Sequence, residues 1–426
     1  MRILITGATG FVGGHVLQAL MQRDGVEAVA AVRSPQKLRQ LYPHLRVIPL
    51  DAARATEQHL RDLLQGVDVV INCIGIIAES GNQRFQSLHI DFPCRLFQAS
   101  QRSGVRRIVH LSALGADKNA RSQFHRSKYR AEHCMHELDI ESVVIKPSLV
   151  FGAGGASMRF FAALAAQPLQ VLFGQGTHRV QPVDIHDLTE TIVRAATMTA
   201  TPPHEIAVVG PTPMSFRAML LAYRRWLGYG KLRTLSIPWP LALCGARLVG
   251  RISPWLSEDN LLMLKQGNTG DVSTLKQVLR REPRALDEVL QPGSADDADR
   301  WHARLFLLLP ALRMSVAFVW IYTGLTSLFF YPHDDSYAML SEIGLTGSIA
   351  VLALYGAAVL DIALGISVLL RWHVVLCGVL QLAIIAGYTV LISAFLPAFW
   401  LHPFGPISKN IPFIVAIMIL MAVEIK

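Results

Sequence analysis

The sequence predicts an α/β unit built on a doubly wound parallel sheet with a small C-terminal lobe, followed by an all-α, four-helix transmembrane domain. Three observations carry this. Short apolar, β-branched runs alternate with helical stretches from residue 1 to about 210. A glycine-rich turn follows the first of those runs. Beyond residue 303 the chain is dominated by four long apolar stretches.

In chain order, strands are expected at RILITG (2–7), EAVAAV (27–32), RVIPL (46–50), DVVINCIG (68–75), RRIVHLSAL (106–114) and SVVIKPS (142–148). Unbroken β-branched runs of this kind suit strands buried on both faces. Helical stretches between them include Gly13–Arg23, Glu57–Leu64 and Phe92–Ser103. Residues 211–292 read as a less regular lobe. It has turn-rich joints at PTPMSF, IPWPL and ISPWLSEDN, a helix at MLLAYRRWLG and one long helix from Glu258 to Leu279. The stretch 237–252 is amphipathic, either a membrane-surface helix or a plain packing helix. A polar linker is expected over 293–302, and residues 303–426 form the membrane domain.

Its spans are read at Met314–Tyr331, Leu345–Leu370, Val374–Leu396 and Ile411–Ile425. Arg300, Arg304, Arg313, Arg371 and Lys426 flank one side, while the loop YPHDDSYAMLSEIG is acidic. Counting positive flanks places both termini and the α/β unit in the cytoplasm, at a bacterial-type inner membrane. Trp320, Tyr331, Trp372 and Trp400 are read as ring anchors near span ends.

Composition agrees. Of 426 residues, 52% are apolar and 17% charged, which excludes a disordered chain. Residues 301–426 carry five basic and five acidic side chains, so residues 1–300 hold 35 against 26 and the whole charge of +9. A basic unit joined to an apolar one suits an anionic lipid leaflet as partner. Nucleic acid is excluded as a partner by the lack of basic clusters interleaved with aromatics. Five scattered cysteines without a CxxC pair exclude a disulfide scaffold and fit a reducing compartment. No histidine spacing points to a metal.

The turn TGATGFVGG sets Gly7, Gly10 and Gly13 at a GxxGxxG spacing, with Thr9, Phe11 and Val12 between them. After a strand and before a helix, this is the pattern that seats a dinucleotide pyrophosphate on a helix N-terminus, in a Rossmann-type domain. The second strand ends in AAVRSPQK rather than an acidic residue. Arg33 and Lys37 there favour the 2′-phosphate of NADP(H), with NAD(H) as the alternative. Asp51 is expected to cap the adenine, and Asn72, Cys73, Ile74 and Gly75 to line the other side.

TGATGFVGG, INCIG, LSALGAD, the SK…AE segment, KPSLVFG and QPVDIHDL, in this order, resemble an atypical short-chain dehydrogenase/reductase. The nearest group is the nucleotide-binding accessory subunit family of respiratory complex I and its bacterial relatives, over roughly residues 1–290. RMSVAFVWIYTGL and LDIALG resemble the DoxX-like membrane family, and the chain looks like a fusion of the two. The resemblance implies a Ser–Tyr–Lys site. Ser112 matches the serine that polarises a carbonyl, and Lys128 the lysine that holds the nicotinamide ribose. Phe124 stands where the proton-transferring tyrosine should be. A phenyl ring has no proton to give. Tyr129 and His125 are read as surface residues and poor substitutes, since neither shares a helix face with position 124. Pro147, Val150 and Gly152 would border the nicotinamide and the substrate cleft.

Asp361, mid-span, is costly to bury and is read either as a functional polar site or as a hydrogen-bonded pin, with Gln381, Tyr355 or Tyr388 as partners. The expected function is an NADP(H)-dependent oxidoreductase acting on a lipophilic substrate, a quinone or isoprenoid. The alternative is a catalytically silent nucleotide-binding module that supports a respiratory or lipid-synthesis membrane complex.

Overall fold

A computed structural model describes residues 1–231, 233–249 and 257–424. It divides into two units, Met1–Ala303 and Arg304–Lys426. In the first, the expected strands form as β1 (Arg2–Thr6), β2 (Glu27–Val32), β3 (Arg46–Pro49), β4 (Val69–Asn72), β5 (Arg107–Leu111) and β6 (Glu141–Pro147). Short strands β7 (Val150–Phe151), β8 (Gln170–Phe173), β9 (Arg179–Val180) and β10 (Val183–Asp184) precede β11 (Glu205–Val208). The sheet is parallel throughout, in the order β11-β6-β5-β4-β1-β2-β3. Strand order reverses between β1 and β4, and the crevice beyond their carboxyl ends is where such sheets bind ligands.

Helices cover both faces. On one lie α1 (Phe11–Met21), α2 (Pro35–Leu41), α7 (Ile185–Thr197) and α11 (Ser273–Leu279), burying Leu17, Leu20, Leu188 and Leu275 against the sheet. On the other lie α3 (Glu57–Leu63), α4 (Phe92–Arg102) and α5 (Gln123–His136), burying Leu60, Phe97 and Met135. Arg107 on β5 is fully buried. Its guanidinium bonds both Glu141 oxygens at 2.9 Å and donates to the carbonyls of Ala195 and Met198 at 2.8 Å.

The lobe comprises α6 (Ala156–Ala166), α8 (Phe216–Trp226), α9 (Trp239–Val249) and α10 (Glu258–Gln266) with their short strands. The single helix expected from Glu258 to Leu279 is instead two. Gly267 breaks it with φ of 81°, where a Cβ would meet the Arg179 carbonyl oxygen at 3.0 Å. Of the amphipathic stretch, residues 250–252 lie outside the described residues, as do 253–256 of the following joint. A short α12 (Leu286–Val289) follows, and the segment expected as linker carries α13 (Asp297–Leu305).

The cysteine expectation is corrected at one place: Cys94 on α4 and Cys134 on α5 form a disulfide. Their sequence separation of 40 hid the pair, which helix packing brings to a Cα–Cα distance of 5.5 Å.

The second unit holds α14 (Leu308–Leu325), α15 (His333–Glu342), α16 (Gly347–Leu370), α17 (Val374–Phe395) and α18 (Asn410–Glu424). α14 with its continuation to Phe330, α16 and α17 are long and apolar enough to cross a bilayer. The expected fourth span is shorter: α18 has 15 residues, about 22 Å at the helical rise, against a hydrocarbon core of about 30 Å. Ile425 and Lys426 lie outside the described residues. The acidic loop contains α15. Trp320 is not an end anchor; it is buried and donates its indole N–H to Gln381 at 2.8 Å. The Gln381 side-chain oxygen is thereby engaged, and Asp361 is also buried, with an Oδ1 that has no hydrogen-bond partner among the described residues. Arg313 and Arg371 both reach Glu424, the latter at 3.4 Å, so the start of α14 and the ends of α16 and α18 share one end of the bundle.

Candidate functional site

The glycine turn is shaped by close backbone approach. Gly7 has φ of 76°, and a Cβ there would lie 2.8 Å from the Cys73 carbonyl carbon. A Cβ on Gly13 would lie 2.2 Å from the Gly7 carbonyl oxygen, so α1 can start this close to β1 only with glycine. Gly10 is exposed and presents bare backbone at the start of α1. This cradle fits a dinucleotide pyrophosphate. Thr9, Arg33, Lys37 and Asp51 are exposed around the same sheet edge. Asp51 accepts the Ala53 N–H at 3.2 Å. Asn72 is buried, accepting from the Thr6 hydroxyl at 2.7 Å and the Ile74 N–H at 3.2 Å, which fixes the course of the chain through Cys73, Ile74 and Gly75.

Lys128 lies on α5 at the floor of a cavity of about 410 Å³. Its ammonium donates to the Leu111 carbonyl at 2.9 Å, and a Cβ on Gly75 would be 3.1 Å from it. Burial lowers its pKa to about 8. Burial, with Lys128 nearby, also holds His89 and His110 far below their ordinary values, while burial, against the opposing pull of Lys128, pushes the Cys73 thiol up to about 12. His89 accepts the Ile76 N–H at 2.9 Å, faces the Ser127 hydroxyl at 2.8 Å, and Ser127 donates to the Phe124 carbonyl at 2.7 Å. The loop after β4 is thus tied to the first turn of α5. The N-terminus of that helix is held by Ser122, whose oxygen accepts from His125 N–H at 3.1 Å.

Ser112 lines the cavity and donates to Glu132. Phe124 also lines it, its ring 5.6 Å from His89. His125 corrects the sequence reading: it is buried rather than on the surface, lines the cavity, and has an Nδ1 without a hydrogen-bond partner among the described residues. The α5 cap turns the ring inward over Gly115, 3.2 Å from that glycine's Cβ position. Tyr129 is half-buried and outside the cavity lining. Gly10, Phe11, Val12, Gly13, Cys73, Gly75, Pro147 and Val150 converge on the cavity; Thr9, Arg33, Lys37, Asp51 and Ile74 do not line it. Gly152 sits behind it, with no room for a Cβ beside Ile185.

Sequence reasoning missed the far wall: Phe160, Phe161 and Leu164 from α6, Phe216 from α8, and Leu261 and Leu264 from α10. The one available signal was the helical spacing of apolar residues in MRFFAALAA and NLLMLK, which reads equally as plain core. Among the described residues, no three His, Cys, Asp or Glu side chains cluster as a metal site.

A parallel seven-stranded sheet with this glycine turn, and a buried lysine facing it, defines a dinucleotide-binding domain of the short-chain dehydrogenase/reductase type. Residues 7–146 match the NAD(P)H-binding family and residues 317–418 the DoxX-like family. The mouse mitochondrial NADH dehydrogenase [ubiquinone] 1 alpha subcomplex subunit 9 is 28% identical over 270 residues, 60% of this chain and 70% of the relative. The ceramide reductase of Caulobacter vibrioides is 27% identical over 192 residues, 45% of this chain and 59% of the relative. An NADPH-dependent quinone oxidoreductase from Escherichia coli, solved with NADPH, shares the fold. Its TM-score is 0.55 at 20% identity, covering 68% of this chain and 98% of that one. The chain carries an NAD(P)H-binding domain of atypical short-chain dehydrogenase/reductase fold, homologous to the complex I subunit, followed by a DoxX-like domain.

Proposed function

We propose that the protein is a membrane-anchored, NADP(H)-dependent reductase of a lipophilic carbonyl compound, a quinone or an isoprenoid. The observation that carries this is the composition of the cavity, with Ser112, His125 and Lys128 at the nucleotide side and an aromatic and aliphatic wall opposite. Gly7, Gly10 and Gly13 would seat the pyrophosphate, Arg33 and Lys37 the 2′-phosphate, and Asp51 the adenine. Cys73, Ile74 and Gly75 would border the nucleotide, with Pro147 and Val150 beside the nicotinamide. Lys128 would hold the ribose and Ser112 the substrate oxygen. Bound there, a reduced nicotinamide would supply a hydride, and with it both electrons, to the substrate, and the protein would have to supply a proton to the substrate oxygen.

The name of the Caulobacter relative, a ceramide reductase, supports a lipid substrate. Positive flanks at Arg300, Arg304, Arg313 and Arg371 support a bacterial-type inner membrane with the nucleotide domain cytoplasmic. A second reading is favoured by Phe124 and by the complex I relative: a silent module that binds nucleotide and supports a membrane complex.

Full-length protein in lipid nanodiscs, offered NADPH or NADH with a short-chain quinone or an isoprenoid aldehyde, separates them. Tight NADPH binding with substrate-dependent loss of reduced-nicotinamide absorbance supports the reductase. Binding without oxidation of either substrate supports the silent module, and no binding refutes both.

A further inference from the structure

The cavity has lost its phenolic proton donor, yet one of its polar groups is wired to solvent. Ser112 donates to one oxygen of Glu132, one turn beyond Lys128 on α5. The other oxygen of Glu132 lies 3.1 Å from the Lys146 ammonium on β6. Lys146 in turn donates to Glu205 on β11 at 2.8 Å. Side-chain exposure rises along this line, from 4% at Glu132 to 12% at Lys146 and 52% at Glu205. It runs from the cavity to the surface without a gap.

We propose that Ser112 is the proton donor to the substrate oxygen and that Glu132 and Lys146 resupply it from solvent at Glu205, in place of the missing tyrosine; this rests on the reductase reading. As the new O–H bond forms on substrate, the Ser112 O–H bond breaks. The Glu132 carboxyl returns a proton to Ser112, Lys146 reprotonates Glu132, and water beside Glu205 reprotonates Lys146. One solvent proton enters per turnover, and no electrons pass along the line. Ser112 is the catalytic residue here; Glu132 and Lys146 act through it.

Burial raises the Glu132 pKa, against the opposing pull of Lys146 and the Ser112 hydroxyl, so the carboxyl holds its proton above the ordinary range. The charged groups facing it are Lys128 on its own helix, Lys146 on β6 and Glu205 on β11. When Glu132 is protonated its hydrogen bond with Ser112 reverses, and the serine proton is free to turn into the cavity.

Glu132→Gln keeps the shape and a hydrogen bond but carries no transferable proton. In nanodiscs with NADPH and an isoprenoid aldehyde, kcat is expected to fall about 100-fold, with NADPH affinity unchanged and the pH profile flattened. Adding Phe124→Tyr to Glu132→Gln should restore most of the rate by returning the usual donor. Independently of turnover, infrared titration should show a protonated carboxyl band, absent from Glu132→Gln, that persists in wild type above the pH range in which ordinary carboxyls ionise. Unchanged kcat in Glu132→Gln, or no such band, overturns the relay alone. No turnover by either wild type or Phe124→Tyr overturns the reductase reading and the relay with it.

Discussion

Asp259 accepts the backbone N–H of Phe124 at 3.2 Å and that of Gln123 at 2.9 Å. A carboxylate from the first turn of α10 therefore anchors the N-terminus of the helix that carries Lys128, and couples the lobe to the nucleotide half of the cavity. Asp259→Ala removes two charge-assisted bonds and a favourable charge at a helix N-terminus. The expected loss is about 1–2 kcal/mol. Amide hydrogen exchange should quicken at residues 123–126 before any change elsewhere.

The glycine turn predicts a sharp contrast between neighbours. Gly13→Ala forces a Cβ to 2.2 Å from the Gly7 carbonyl oxygen, whereas Gly14→Ala meets the Ala8 oxygen at an ordinary 3.6 Å. Gly13→Ala should weaken nucleotide binding at least about tenfold, the equivalent of about 1.4 kcal/mol. Gly14→Ala should bind as wild type, with calorimetric titration as the readout.

Cofactor choice is tested at the end of β2. Arg33→Ala with Lys37→Ala removes both candidate cations for a 2′-phosphate. NADPH affinity should fall by about 10- to 100-fold, as expected for charged hydrogen bonds, with NADH affinity left within about twofold. Parallel titrations with the two nucleotides check it.

The buried Lys128 gives a pH dependence of defined sign. Its folded pKa of about 8 lies below the unfolded value of 10.5, so between these pH values the unfolded chain binds the extra proton. Stability from this group rises with pH across that window, by at most about 1.4 kcal/mol per pH unit, and is flat below it. Thermal unfolding in nanodiscs should show this rise as the difference between wild type and Lys128→Met.

Arg107 makes a stability prediction remote from the cavity. Arg107→Met leaves the carbonyls of Ala195 and Met198 without their buried donor and deprives half-buried Glu141 of its bidentate partner. The expected cost is about 2–4 kcal/mol. A lowered unfolding temperature with nucleotide affinity retained in the folded fraction would be the signature.

Much of the nucleotide half was legible because local rules act there. Strand–helix alternation sets the sheet, and the steric demand of Gly13 against the Gly7 carbonyl arises within one strand–turn–helix segment. Contacts between distant segments were not legible. Cys94 and Cys134 read as free thiols, His125 read as exposed, and Asp259 gave no sign of capping a helix over a hundred residues earlier. The aromatic wall from α6 and α8 had the same spacing as ordinary core. The single helix expected from Glu258 to Leu279 runs through Gly267, whose positive φ divides it in two.

The cavity is assembled from two separately encoded halves, and this bears on how such a protein diversifies. Strand ends, the first turn of α1 and α5 contribute the polar side, while α6, α8 and α10 contribute the apolar side. Exchanging residues of the lobe wall for those of a relative can therefore change what is accepted while leaving the nucleotide cradle intact. On the reductase reading, the lobe is the part to graft when a different molecule is to be presented to the same nucleotide.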